Sequence, residues 1–149
     1  MARILAIDFG TKRTGIASTD SLQLIASPLT TVSGAELIPF LNKYLGTERV
    51  ETIVVGEPRH KDGELSGPIE ALNNFLIYLR KTFPAIGIER VDERFTSKLA
   101  NMAINEAGLS KKKRADKSLN DAIAATLILQ SYLEQRTFRS ERHNREGST

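Results

Sequence analysis

The chain has 149 residues, 40% of them hydrophobic and 26% charged, with a formal net charge of +3. That balance belongs to one globular domain of ordinary size, long enough to bury a core without staples. With no cysteine, a disulfide framework, a Cys-based zinc site and a thiol nucleophile are all excluded; no segment has the apolar length of a membrane span or the form of a signal peptide, so the expected setting is the cytoplasm, away from membranes.

Residues 3–8 form a short apolar run closed by Gly10, which predicts a strand. A second strand is predicted over 14–19, after the turn GTKRTG, and a third over 22–32. Pro28 in the third suggests a sheet edge, because proline cannot donate to a ladder. Three strands joined by short turns predict an antiparallel meander, its first and most apolar strand near the sheet centre.

The pattern then changes. Ser33 to Glu36 has the form of a capping box, and Leu37, Phe40, Leu41, Tyr44 and Leu45 follow at helical spacing, with Gly46 as the expected stop. The run ETIVVG at 51–56 predicts a strand buried on both faces. A polar loop leads to a second helix near Pro68, carrying Leu72, Phe75, Leu76 and Leu79 and ending before Pro84. Ile86 to Val91 predict a fifth strand. Thr96 or Ser97 caps a short predicted helix ending at Gly108, and a final helix is expected from about Ser118 to Gln135. This order predicts an α/β fold: a five-stranded mixed sheet, an antiparallel meander followed by βαβα units, flanked by helices. One domain over 1–136 is expected, followed by a polar, basic tail over 137–149 that lacks apolar periodicity and is expected to be disordered.

Charge is unevenly spread. Lys98, Lys111, Lys112, Lys113, Arg114 and Lys117 stand against only Glu106 and Asp116 in the same stretch, and Arg136, Arg139, Arg142 and Arg145 follow. Such clustering suits a polyanion partner, although a solvated loop and tail would have the same composition.

Three acids stand out. Asp8 ends the first strand, where it could equally cap its own turn. Glu93 follows the fifth strand, between Asp92 and Arg94, where a solvated strand end is the plainer account. Asp121 shares a helix face with Ala125, Ile128 and Tyr132, in line with an apolar stripe. Ser118 to Asp121 could also form a capping box. Two carboxylates at strand ends and one on a covering helix could converge; like charges so placed need a cation. Oxygen ligands suit Mg²⁺ or Mn²⁺. Two such ions about 4 Å apart activate a water and stabilise the leaving oxygen of a phosphodiester, while nearby cations hold the nucleic-acid backbone.

These residues resemble the YqgF family, also called RuvX-like, of ribonuclease H-like proteins. The resemblance is carried by ILAIDFGTKRTGIASTD at 4–20, VVGEPRHKDGELSG at 54–67, DERFTSKLA at 92–100 and NDAIAATLILQSYLE at 120–134. It implies a ribonuclease H-like fold and a divalent-metal nuclease that trims the 5′ end of pre-16S ribosomal RNA; resolution of Holliday junctions in branched DNA is the alternative for the same family. By position, Asp8, Glu93 and Asp121 match the family's acids. Lys12 and Arg13 match its basic turn, a phosphate contact, with Lys98 and residues 111–114 extending the basic surface. One departure is Gly56-Glu57-Pro58, where the family commonly has Gly-Leu-Pro. Glu57 is then either an additional metal ligand or, the preferred reading, a solvated loop residue.

Two other classes compete. DFGT also resembles the phosphate turn of the actin, heat-shock chaperone and sugar-kinase superfamily, but those proteins pair two such domains and this chain supplies one. A non-catalytic RNA-binding module would keep the fold and the basic surface; with 6% aromatic residues and no Trp, stacking platforms are scarce. The expected partner is therefore nucleic acid, pre-rRNA ahead of branched DNA, bound by a monomer or homodimer.

Overall fold

The computed structural model describes residues 2–10, 12–57, 69–92 and 117–146, and side chains of the last helix over 121–137. Five strands, β1 (Arg3–Asp8), β2 (Arg13–Thr19), β3 (Ala26–Ser33), β4 (Val50–Glu57) and β5 (Gly87–Asp92), form one sheet in the order β3-β2-β1-β4-β5. The β1, β2 and β3 neighbours pair antiparallel, whereas β1–β4 and β4–β5 pair parallel. β1 is central, and its four middle residues are buried. The mixed sheet is the one the sequence predicts. Pro28 lies on the edge strand β3, where the β2–β3 register shifts.

Helices α1 (Leu37–Thr47) and α2 (Ile69–Thr82) cover one face of the sheet, and α3 (Lys117–Glu146) covers the other. Strand alternation divides the side chains between the two. Leu5, Ile7, Ile16, Ile53 and Val55 pack with Leu37 and Leu41 of α1 and Leu72, Phe75, Leu76 and Leu79 of α2. Ile4, Ala6, Ala17, Val54 and Val91 pack with Ala125, Ile128 and Leu129 of α3. The stripe predicted on the last helix is thus in place.

The element ends correct several expectations. Strand β3 begins at Ala26, not near residue 22, because residues 20–25 form a turn organised by Asp20. Its carboxylate accepts from the backbone N–H groups of Leu22, Leu24 and Ile25 at 2.8–3.2 Å. The capping box at Ser33 does not form. Ser33 is committed to β3 opposite Arg13, and Glu36 occupies the N-cap with no side-chain cap bond. Gly46 does not end α1: the helix runs to Thr47, whose hydroxyl donates to the Lys43 and Tyr44 carbonyls while the Glu48 N–H donates to Tyr44. At the other end of the chain, α3 continues to Glu146, past the expected end at Gln135. Glu, Gln and Arg are strong helix formers and prolong a helix where no apolar stripe remains. The predicted helix over 96–108 lies outside the described residues.

Candidate functional site

Asp8 is the last residue of β1, half-buried, on the β1 face that turns Ile4 and Ala6 toward α3. Its cross-strand partner on β2 is Gly15. Gly15 has no room for a side chain, since a Cβ there would run into the Asp121 carbonyl oxygen and the Ala122 nitrogen of α3. The helix backbone therefore rests directly on β2 at this point, and Asp121 is delivered beside the strand end that carries Asp8. A glycine inside a strand marks such close approach. That signal was available in the sequence, and Gly15 is the functional position its reading overlooked.

Arg13 stands two residues before Gly15 on the same face of β2. Its Nε donates to Asp121 Oδ2 at 2.8 Å. The side chains of the pair are 41% and 25% exposed, so it lies at the rim of the site. The turn before it is tight. A Cβ at Gly10 would strike the Arg13 carbonyl, and the buried Thr14 hydroxyl bridges back to the Gly10 carbonyl at 3.3 Å. Lys12 is exposed. Ser118 lies within α3, which begins at Lys117, so the predicted N-cap at Ser118 is corrected. Asp121 sits in the second turn and its carboxylate is bound to Arg13.

Glu57 is not a solvated loop residue. It is the final residue of β4, only 5% exposed. Alternation aligns it with Ile53 and Val55 on the face of α1 and α2, opposite the face of Asp8. Its Oε1 accepts from Arg90 Nη1 at 2.7 Å, and Asp92 is its register partner on β5. Its burial comes from being within the parallel ladder, which a loop assignment could not anticipate. Glu93, Lys98, Lys111, Lys112, Lys113 and Arg114 lie outside the described residues.

The donor set fits a hard divalent cation. Asp8 and Asp121 would offer carboxylate oxygens from a strand end and a helix, and the charge of Asp121 is met here by the Arg13 guanidinium. Among the described residues, no three His, Cys, Asp or Glu side chains form a metal-holding group; completing a site requires a further ligand. Also among the described residues, no helix is long and apolar enough to cross a membrane.

The chain is 54% identical over 133 residues to a protein of Christiangramia forsetii named as a pre-16S rRNA nuclease, covering 89% of this chain and 98% of that one. A Bacteroides thetaiotaomicron protein of the same name is 51% identical over 138 residues, 93% and 100% of the two chains. Among solved structures, Thermus thermophilus RuvC, seen in complex with a Holliday junction substrate, superposes with a TM-score of 0.56 at 18% identity, covering 92% of this chain and 98% of that one. That likeness establishes the ribonuclease H-like fold. Residues 2–135 match the family described as RuvX: Holliday junction resolvase, and with that match spanning β1 to α3, the chain belongs to the RuvX (YqgF) family.

Proposed function

We propose that this protein is a divalent-metal-dependent nuclease that hydrolyses phosphodiester bonds in structured nucleic acid, processing the 5′ end of pre-16S rRNA in the cytoplasm. The observation that supports this reading is the contact of Gly15, the cross-strand partner of Asp8, with the α3 backbone at Asp121. The names of the relatives favour pre-rRNA as substrate.

In this reading Asp8 and Asp121 hold Mg²⁺ or Mn²⁺, with Glu93 as the third carboxylate. When bound, the ion supplies an activated water and stabilisation of the leaving oxygen. The chain does the rest. β1, hydrogen-bonded on both sides, fixes the Asp8 backbone. α3 fixes Asp121. Lys12 and Arg13 neutralise and orient the backbone phosphate, and Lys98, Lys111, Lys112, Lys113 and Arg114 extend the basic track. Glu57 is left out of the ligand set because it faces the other side of the sheet and is committed to Arg90.

The second reading is resolution of Holliday junctions, favoured by the family's description and by the RuvC complex that shares the fold. Cleavage of matched RNA and branched DNA substrates in Mg²⁺ and in Mn²⁺ separates the two. Replacing Asp8 with Asn should lower the rate by about a hundredfold or more, since even outer-shell partners of a metal are worth 10–100-fold; the melting temperature should hold. An Asp8→Asn enzyme that cuts at the wild-type rate removes the metal role of Asp8. Binding without cleavage of either substrate would favour the non-catalytic module.

A further inference from the structure

We propose that Arg13 is a two-position cation: it neutralises Asp121 until the divalent ion arrives, then swings to the substrate phosphate, so that metal and nucleic acid bind cooperatively through one side chain. This rests on the metal-nuclease reading above and adds a positioning role to it.

The backbone of Arg13 is pinned. It pairs with Ser33 across β2–β3, the Gly34 N–H donates to the preceding Lys12 carbonyl at 3.1 Å, and Gly10 packs against the Arg13 carbonyl. Only the side chain has freedom to move. That side chain reaches Asp121 through Nε. Among the described residues its two terminal amino groups, with four of the five guanidinium N–H donors, are committed to no other partner. The ion pair is exposed enough to be weak and easily exchanged. A divalent ion binding the Asp121 carboxylate competes for the charge that Nε neutralises, and two cations on one carboxylate repel. The freed guanidinium starts on the same strand face as Gly15, over the mouth between Asp8 and Asp121. The anion that suits it there is a phosphate, whose oxygens match its planar fork. Without Arg13 at Asp121, the neighbouring carboxylates would repel in the metal-free protein; without its release, the guanidinium would compete with the ion. Coupling of this kind is reciprocal: whatever factor the ion adds to nucleic-acid affinity, nucleic acid adds to ion affinity.

The test follows the side chain itself. Nitrogen-15 spectra of the wild-type protein should show the Arg13 Nε resonance shift when saturating Mg²⁺ releases it from Asp121, and shift again when an RNA hairpin is added with Ca²⁺ as the ion and the strand is recovered whole. In parallel, R13Q should bind Mn²⁺ alone tighter by roughly two- to fivefold, the worth of an exposed ion pair. It should also lose a similar factor, roughly two- to fivefold, of the ion-dependent gain in hairpin affinity, because coupling through one side chain is bounded by the ion pair it breaks. An Nε–H unchanged by saturating Mg²⁺ overturns the exchange without reliance on any variant. So does an R13Q protein with the wild-type ion-dependent gain. A wild-type protein that binds no Mn²⁺ sinks both this proposal and the metal-nuclease reading, whereas normal Mn²⁺ binding with a static Arg13 sinks this proposal alone.

Discussion

The two faces of the sheet are built from different residues. The face under α1 and α2 is filled by large aliphatic side chains and Phe75, with Leu5, Ile7, Ile53, Leu76 and Leu79 fully buried. The face under α3 mixes Ile4, Val54, Ile128 and Leu129 with the small residues Ala6, Ala17 and Ala125, and the end that carries Asp8 uses Gly15. Large side chains hold helices off the sheet and bury more apolar area, which is where stability comes from. Small ones let α3 come down until backbone meets backbone, and that closeness places the Asp121 carboxylate. At the Gly15 end, the α3 face gives up buried area for that close approach.

That contrast predicts separable defects. Leu76→Ala, on the large-residue face, should cost about 2–5 kcal/mol of unfolding free energy, measured by denaturant titration, with cleavage by the surviving folded protein unchanged. Equal loss of both would show that the faces are not independent. Gly15→Ala, on the close-approach face, should cost less, about 1–3 kcal/mol from overpacking against a backbone that cannot yield. It should nevertheless slow cleavage by roughly tenfold or more, because a displacement near 1 Å is expensive for positioned groups. A Gly15→Ala protein with wild-type activity would mean that α3 need not sit so close.

Arg90→Ala probes the boundary between the two regions, at the end of β4 and β5. It removes the cation from a buried carboxylate and should destabilise by about 1–3 kcal/mol. Ion affinity at the Asp8 end should stay as in the wild type; a marked change would draw Glu57 into the site. The smallest effect is expected at the turn farthest from the chemistry. The Asp20 carboxyl is held below its ordinary value of 3.8, first by the Ile25 N–H, with desolvation opposing and the Leu24 and Leu22 N–H groups adding to the lowering. A depressed carboxyl stabilises above its unfolded-state value, and that contribution is lost as pH falls through the lower folded-state value. The protection factors of the Leu22, Leu24 and Ile25 amides, relative to intrinsic exchange at each pH, should therefore fall only below about pH 3.8, and Asp20→Asn should lower them at neutral pH while leaving the global melt near that of the wild type.

Much of this architecture is legible in residue order. Alternation and apolar runs mark the strands, and the spacing of Ala125, Ile128 and Tyr132 marks the buried stripe of α3, because both periods follow from local backbone geometry. The cap signals at Ser33, Gly46 and Ser118 mislead. At Ser33 the local preference is overruled by the β2–β3 ladder, while α1 and α3 simply run one residue beyond the expected ends. Glu57 misleads differently: whether a strand-end acid faces Asp8 or Arg90 depends on register across three strands.

By itself, then, the sequence determined which elements form and which acids stand at their ends, since hydrophobic period and turn chemistry act over a few residues. Tertiary structure alone decided which acids share a face and which cation meets them. Asp8 and Asp121 are far apart in the chain, and their elements meet where α3 crosses β2 at Gly15, the cross-strand partner of Asp8. The same crossing brings Arg13 to Asp121, across 108 residues of sequence, a pairing that no local pattern encodes.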